Sequence, residues 1–174
     1  MTVEHLLPYH IHGRELRWLK TLHICFASIW AGATICIAVI QFAFQPSFAG
    51  EMYACSMVML LIDTWVIAPS ALLCMTTGLI YSAMTNFGFI KFWWIIIKWM
   101  VILTYITVGF FWLTPWLEAM ARQARAMPLD AVVTSHSMQQ STLNVTVVFG
   151  QVFVVFSTMA LTIIKPWGHT RWHV

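Results

Sequence analysis

The chain has 174 residues, 60% of them apolar and only 9% charged, with a formal net charge of +3. That balance excludes a soluble globular domain of this size and points to an integral membrane protein embedded in a lipid bilayer. The small charge offers no basic patch, so no nucleic-acid partner is expected.

Glu4, Arg14 and Glu15 precede a first apolar run far longer than the apolar core of a cleavable signal, so no leader is expected to be removed. Four apolar stretches follow in order: Trp18 to Phe44, Met52 to Met84, Phe92 to Trp116, and Ser137 to Ile164. Each is long enough to cross about 30 Å of hydrocarbon at roughly 1.5 Å rise per helical residue. Lipid requires backbone polar groups to be satisfied internally, and none of the stretches shows the period-two alternation of a barrel strand. The expected fold is all-α, a four-helix transmembrane bundle forming one domain over residues 1–174. Turn residues punctuate the connections: Gln45, Pro46 and Ser47, then Asn86, Phe87 and Gly88, then a longer segment from Leu117 to His136 holding Pro128 and Asp130.

Lysine and arginine set the orientation. Arg14, Arg17, Lys20, Lys91, Lys165 and Arg171 flank the spans on one side, while the other holds Arg122 and Arg125. Both termini are therefore predicted to be cytoplasmic, in a multi-pass protein of a bacterial inner membrane.

The cysteines, Cys25, Cys36, Cys55 and Cys74, lack C-x-x-C spacing and lie mostly within spans, which argues against a disulfide framework or a thiolate zinc site and for small apolar filler. Most of the methionines and tryptophans read as packing residues, and Trp93, Trp94, Trp116 and Trp167 fall where interfacial tryptophans belong.

Two ionisable residues lie inside the spans at the same depth. His23 is about one and a half turns into the first helix, and Lys98 is equally far into the third, which starts from the same side. An ionisable group in hydrocarbon costs several kcal/mol unless it faces protein, water or a ligand, so the pair marks a functional site between helices. Asp63 enters from the opposite side, and an ion pair with Lys98 would require the second helix to tilt or slide. Steps of three and four from His23 give Ala27, Ala31 and Thr34, with Ser28 and Gly32 beside them: a small-residue face that suits a flat, bulky ligand or, equally, a close helix contact.

The other helices carry polar stripes. On the second, Asp63, Ser70, Cys74 and Thr77 align with Gly78, and Pro69 frees a carbonyl in mid-span. On the third the stripe is Lys98, Tyr105, Gly109 and Trp112; on the fourth it is His136, Gln140, Asn144, Gln151, Thr158 and Thr162. With Asp63 the one acid within the spans, a bound cofactor ranks above an ion path. Haem b suits the arrangement, with His23 as axial iron ligand, Lys98 beside a propionate or acting as a ligand itself, and Ala27 and Ala31 lining the face. A second histidine at that depth is missing, so the sixth position falls to Lys98, a methionine, or none. His136, at the outer end of the fourth helix, would serve only a separate site.

The run Leu19-Lys20-Thr21-Leu22-His23-Ile24 with Ser28-Ile29-Trp30-Ala31-Gly32 resembles the first helix of HemJ-type protoporphyrinogen oxidases and CopD-type membrane proteins. The Lys98 helix after Trp93 and Trp94 is similar to the lysine helix of that group, and Ile164-Lys165-Pro166-Trp167 resembles the ending of a related bacterial membrane family. The resemblance implies haem b binding at His23 and Lys98. Those oxidases have a Tyr-His motif and a nearby cysteine after the lysine helix, whereas the stretch here reads Tyr105-Ile106-Thr107-Val108-Gly109 with no histidine, a departure that weakens the case for protoporphyrinogen oxidation and leaves haem binding as what the resemblance implies.

A redox role would pair a quinone or porphyrin-like reductant with an acceptor, with Lys98, Tyr105 and Asp63 as candidates for proton handling. Two other classes remain open. Copper or other metal handling would use His5, His10, His12, His169 and His173, with Met57, Met59, Met75 or Cys74 inside the spans. An accessory subunit of a larger membrane complex, or a homo-oligomer, would use the polar stripes as interhelical hydrogen bonds of about 1 kcal/mol each.

Overall fold

The computed structural model describes residues 13–84, 93–133 and 135–164, with side chains for 13–84, 93, 95–133 and 146–160. Four helical rods account for nearly all of it. Helix α1 is Gly13–Ala43, α2 is Ala49–Met84, α3 covers residues 93–125 and α4 is Ser135–Ile164. The first three are long and apolar enough to cross a membrane, and α4 carries an apolar stretch over Thr146–Ala160. The described residues contain no strand, only an isolated bridge between Phe48 and Val132. This is the expected all-α membrane bundle.

The rods form a ring. Helix α1 packs on α2 and α4, the first half of α2 packs on the last turns of α3, and the start of α3 packs on α4. Large apolar side chains such as Leu22, Ile29, Val39, Phe110, Phe111 and Phe153 are exposed on its outer surface, as a lipid solvent permits. The centre holds Ile37, Met59, Leu117 and Val148, each at most 1% exposed.

Two five-residue π-helical turns interrupt the rods, Asp63–Ile67 in α2 and Gly109–Leu113 in α3. Each ends two residues before a proline, Pro69 and Pro115. Proline has no N–H, and its ring collides with the carbonyl four residues back, so widening the preceding turn relieves the clash without breaking the rod. The widening also shifts the side-chain register of α3. Trp112, expected on the inward stripe with Lys98 and Tyr105, is 63% exposed, and Leu113 takes the buried position at 3%.

The third rod is also longer than expected. The segment from Leu117, predicted as a connection, continues as helix to Arg125. Leu117, Ala121 and Ala124 are buried along one side, while Glu118 and Arg122 are exposed and form an i,i+4 ion pair at 3.2 Å. The chain then folds back over the start of α2: Ala49 N–H donates to the Ala131 carbonyl and Gly50 N–H to that of Leu129, capping otherwise orphaned helix-terminal donors. A Cβ on Gly50 would lie 3.2 Å from the Leu129 oxygen, which explains a glycine there.

A candidate cofactor cavity around His23

Where the start of α3 stands off from the end of α2, a cavity of about 530 Å³ opens within the ring. Helix α1 contributes Lys20, His23, Ile24, Ala27, Ser28 and Trp30, and α2 contributes Cys74. From α3 come Lys98, Val101, Ile102 and Tyr105; from α4, Val154, Val155, Thr158 and Met159. The volume lies within the range of small-molecule and cofactor sites, and the lining has their usual character, apolar walls with a few convergent polar groups.

His23 is held in one orientation. Its Nδ1 lies 3.0 Å from the Cys74 carbonyl and 3.0 Å from Thr77 Oγ1, with Cys74 Sγ at 3.8 Å. A carbonyl only accepts, so Nδ1 carries the proton and donates. Thr77 fits the same assignment, because its hydroxyl proton is directed back to the Leu73 carbonyl at 2.7 Å, leaving its oxygen to accept. The lone pair of a neutral imidazole is then at Nε2, which makes no hydrogen bond among the described residues. Gly78 makes this possible, since a Cβ there would sit 3.2 Å from His23 Cε1.

Lys98 shares the cavity with His23 and lies within electrostatic reach of both His23 and Cys74. Lys20, exposed one turn before His23, places a second ammonium on the lining. Deeper, Trp30 and Tyr105 meet edge to face with ring centroids 4.7 Å apart. The Thr34 hydroxyl donates to the Trp30 carbonyl at 2.9 Å, which leaves Tyr105 to donate its own proton to Thr34 Oγ1, also at 2.9 Å. Trp30 is 5% exposed, and its indole N–H is buried without an acceptor at full hydrogen-bond geometry among the described residues.

Of the predicted site residues, His23, Lys98, Ala27 and Tyr105 come together here. Ala31 does not line the cavity; it lies one turn beyond Ala27 and is buried, at 7% exposure. Asp63 is also elsewhere, bonded to Thr114 and not to Lys98. The side chains of His136, Gln140, Asn144 and Thr162, and the terminal histidines His5, His10, His12, His169 and His173, lie outside the described residues. Gln151 is buried and Thr158 lines the cavity, so the described part of the α4 stripe does face inward.

Sequence reasoning missed Trp30, Met159 and the hydrogen bonds that His23 donates to Cys74 and Thr77. The signal for Trp30 was present, seven residues from His23 on the same helical face. Of the soft ligands named for metal handling, Cys74 lies beside His23 at the large cavity, whereas Met59 borders a small cavity with Gln41, Met52, Cys55 and Met120, fifteen residues or about 22 Å along the same rod. No cluster of three or more His, Cys, Asp or Glu suited to a metal occurs among the described residues. Comparisons with protein-family models, with characterised proteins and with solved structures find no match to this chain.

Proposed function

We propose that this chain is a membrane-embedded haem b-binding protein with His23 as axial ligand, serving a one-electron redox role in a bacterial inner membrane. The observation that carries this reading is the anchored imidazole. A metal-ligating histidine ordinarily donates its other ring N–H to a carbonyl or carboxylate, which fixes the tautomer and raises the basicity of the ligating nitrogen. Nδ1 of His23 does this with the Cys74 carbonyl, and Nε2 remains for the iron.

Other residues fit the same group. Lys20 and Lys98 supply positive charge for its carboxylates. Val101, Ile102, Val154 and Val155 give the apolar walls that exclude water, and Met159 or Lys98 would complete the iron's coordination. The bound haem would supply reversible one-electron chemistry at its iron. Tyr105 and Lys98, both at the cavity wall, are the groups placed to hold or pass a proton there. The positive-inside bias of Arg14, Arg17 and Lys20 supports a cytoplasmic N-terminus.

The test is an absorption spectrum of the detergent-purified protein, oxidised and dithionite-reduced, with metal analysis on the same sample. The expected result is a Soret band with sharp reduced α and β bands, lost in His23→Ala and shifted or weakened in Lys98→Ala. A His23→Ala protein that keeps its full cofactor would falsify the ligand assignment. A colourless wild type would leave metal handling if metal is present, or an accessory role in a larger complex if it is not.

A further inference from the structure

A second polar site lies outside the cavity, where the two π-turns meet. Asp63 opens the turn in α2, and Thr114 directly follows the turn in α3. Asp63 is 7% exposed. Its Oδ2 lies 2.6 Å from Thr114 Oγ1, and the same Oγ1 lies 3.1 Å from the Gly109 carbonyl, which also accepts the Thr114 backbone N–H.

Proton count and charge together point to one wiring of this chain. Thr114 Oγ1 has one proton and two neighbours, a carbonyl and a carboxyl oxygen. If Asp63 were ionised, both neighbours would be acceptors and one contact would go without a proton. The carboxylate would also keep a full charge within the bundle on Thr114, the single donor to its side chain among the described residues, which costs several kcal/mol or more when no cation is paired with it. Tyr105 on α3 lies within electrostatic reach of Asp63 and is a phenol that donates to Thr34. The cations Lys20 and Lys98 line the cavity, and the described ion pair, Arg122 with Glu118, lies on the exposed face of the last turns of α3. A protonated acid satisfies every contact: Asp63 Oδ2–H donates to Thr114, and Thr114 donates to Gly109. The 2.6 Å separation is short enough for either direction, so the distance leaves the assignment to proton count and charge.

We infer that Asp63 is a proton-binding site, held as a neutral carboxylic acid between α2 and α3. Loss of the proton leaves the electron pair on Oδ2 as a carboxylate. Thr114 must then turn its hydroxyl from the Gly109 carbonyl to Asp63, so the hydrogen bonding of the π-turn in α3 differs between the two states. Proton occupancy is thereby coupled to the turn that sets the register of α3. The inference is independent of what fills the cavity around His23.

The chain has only two aspartates, Asp63 and the exposed Asp130. Labelling aspartate with carbon-13 at the side-chain carboxyl, in Asp130→Asn protein reconstituted in lipid, leaves Asp63 as the one labelled acid for infrared spectroscopy at neutral pH. The expected result is the carbonyl stretch of a protonated acid, moving down in D2O and up in Thr114→Val, where the acid loses its acceptor. Unlabelled Asp63→Asn gives a second readout, since a neutral amide of the same shape should leave the thermal midpoint near that of the wild type. A carboxylate antisymmetric stretch from the labelled group, with no acid band, would overturn the inference.

Discussion

The imidazole of His23 reaches the backbone of α2 because position 78 has no side chain. Adding a methyl there brings a carbon to 3.2 Å of Cε1, a contact that a small ring shift relieves, whereas the branched side chain of valine fills the space the ring edge occupies. Gly78→Val should therefore push Nδ1 off the Cys74 carbonyl. Losing such an outer partner typically costs about 10–100-fold in affinity for a ligated metal, so the variant should bind haem weaker by that order, and Gly78→Ala by less. Thr77→Val is a milder case: it removes one acceptor but leaves the carbonyl, so the tautomer is kept and a loss below about 10-fold is expected. Cofactor titration of the purified variants, read at the Soret band, checks the ordering. Equal affinity in Gly78→Val and wild type would mean that the ring's anchor has no bearing on binding. His23 and Lys98 were legible in the sequence, because an ionisable group within an apolar run is conspicuous. The bond that orients His23 was not, since it joins residues 51 positions apart through a backbone carbonyl that every residue has.

Helical periodicity places the whole α2 stripe, although the count from Asp63 to Ser70 also crosses a π-turn, and misplaces one residue of the α3 stripe, inside its turn. The α2 stripe of Asp63, Ser70, Cys74 and Thr77 is buried as the spacing predicts. In α3 the count from Lys98 through Tyr105 to Trp112 crosses the turn that Pro115 widens, so the periodicity slips by one residue and Trp112 faces outward. Beyond it, charged residues made Leu117–Arg125 look like a connection, although Leu117, Ala121 and Ala124 already show a helical period of three and four. This register has an energetic consequence that a paired substitution can read. Leu117 is fully buried, and truncating such a side chain typically costs about 2–5 kcal/mol through lost burial and the cavity left behind. Trp112 faces lipid, where an alanine replaces one apolar contact by another, and a change within about 1 kcal/mol is expected. Thermal unfolding in detergent should show a clearly lower midpoint for Leu117→Ala than for Trp112→Ala. The reverse order would mean that α3 keeps an uninterrupted α-helical register past Gly109.

At the level of the whole molecule, the cavity belongs to one end of the bundle, and orientation decides which compartment it serves. Helix α1 has 31 residues, about 46 Å at 1.5 Å rise, so it outreaches a hydrocarbon core of about 30 Å and its ends stand in the headgroup regions. At its first turns are Arg14, Arg17 and Lys20, the last of them on the cavity wall. The opposite end is closed by the segment that bonds Ser47, Ala49 and Gly50 to residues 129–133, next to Arg122, Arg125 and Asp130. Cytoplasmic flanks are enriched in lysine and arginine, so the end with Arg14 and Arg17 should face the cytoplasm and the Asp130 segment the outside. With Cys25, Cys36, Cys55 and Cys74 replaced by serine or alanine, a cysteine introduced by Asp130→Cys should react with a membrane-impermeant maleimide in intact cells whose outer barrier is permeabilised. One introduced by Arg14→Cys should react only after lysis. That result would admit the ligand of His23 from the cytoplasmic side. The opposite labelling pattern would turn the bundle over, so that Lys20 and Lys98 would receive their ligand from outside and a cytoplasmic electron donor would have to act across the thickness of the membrane.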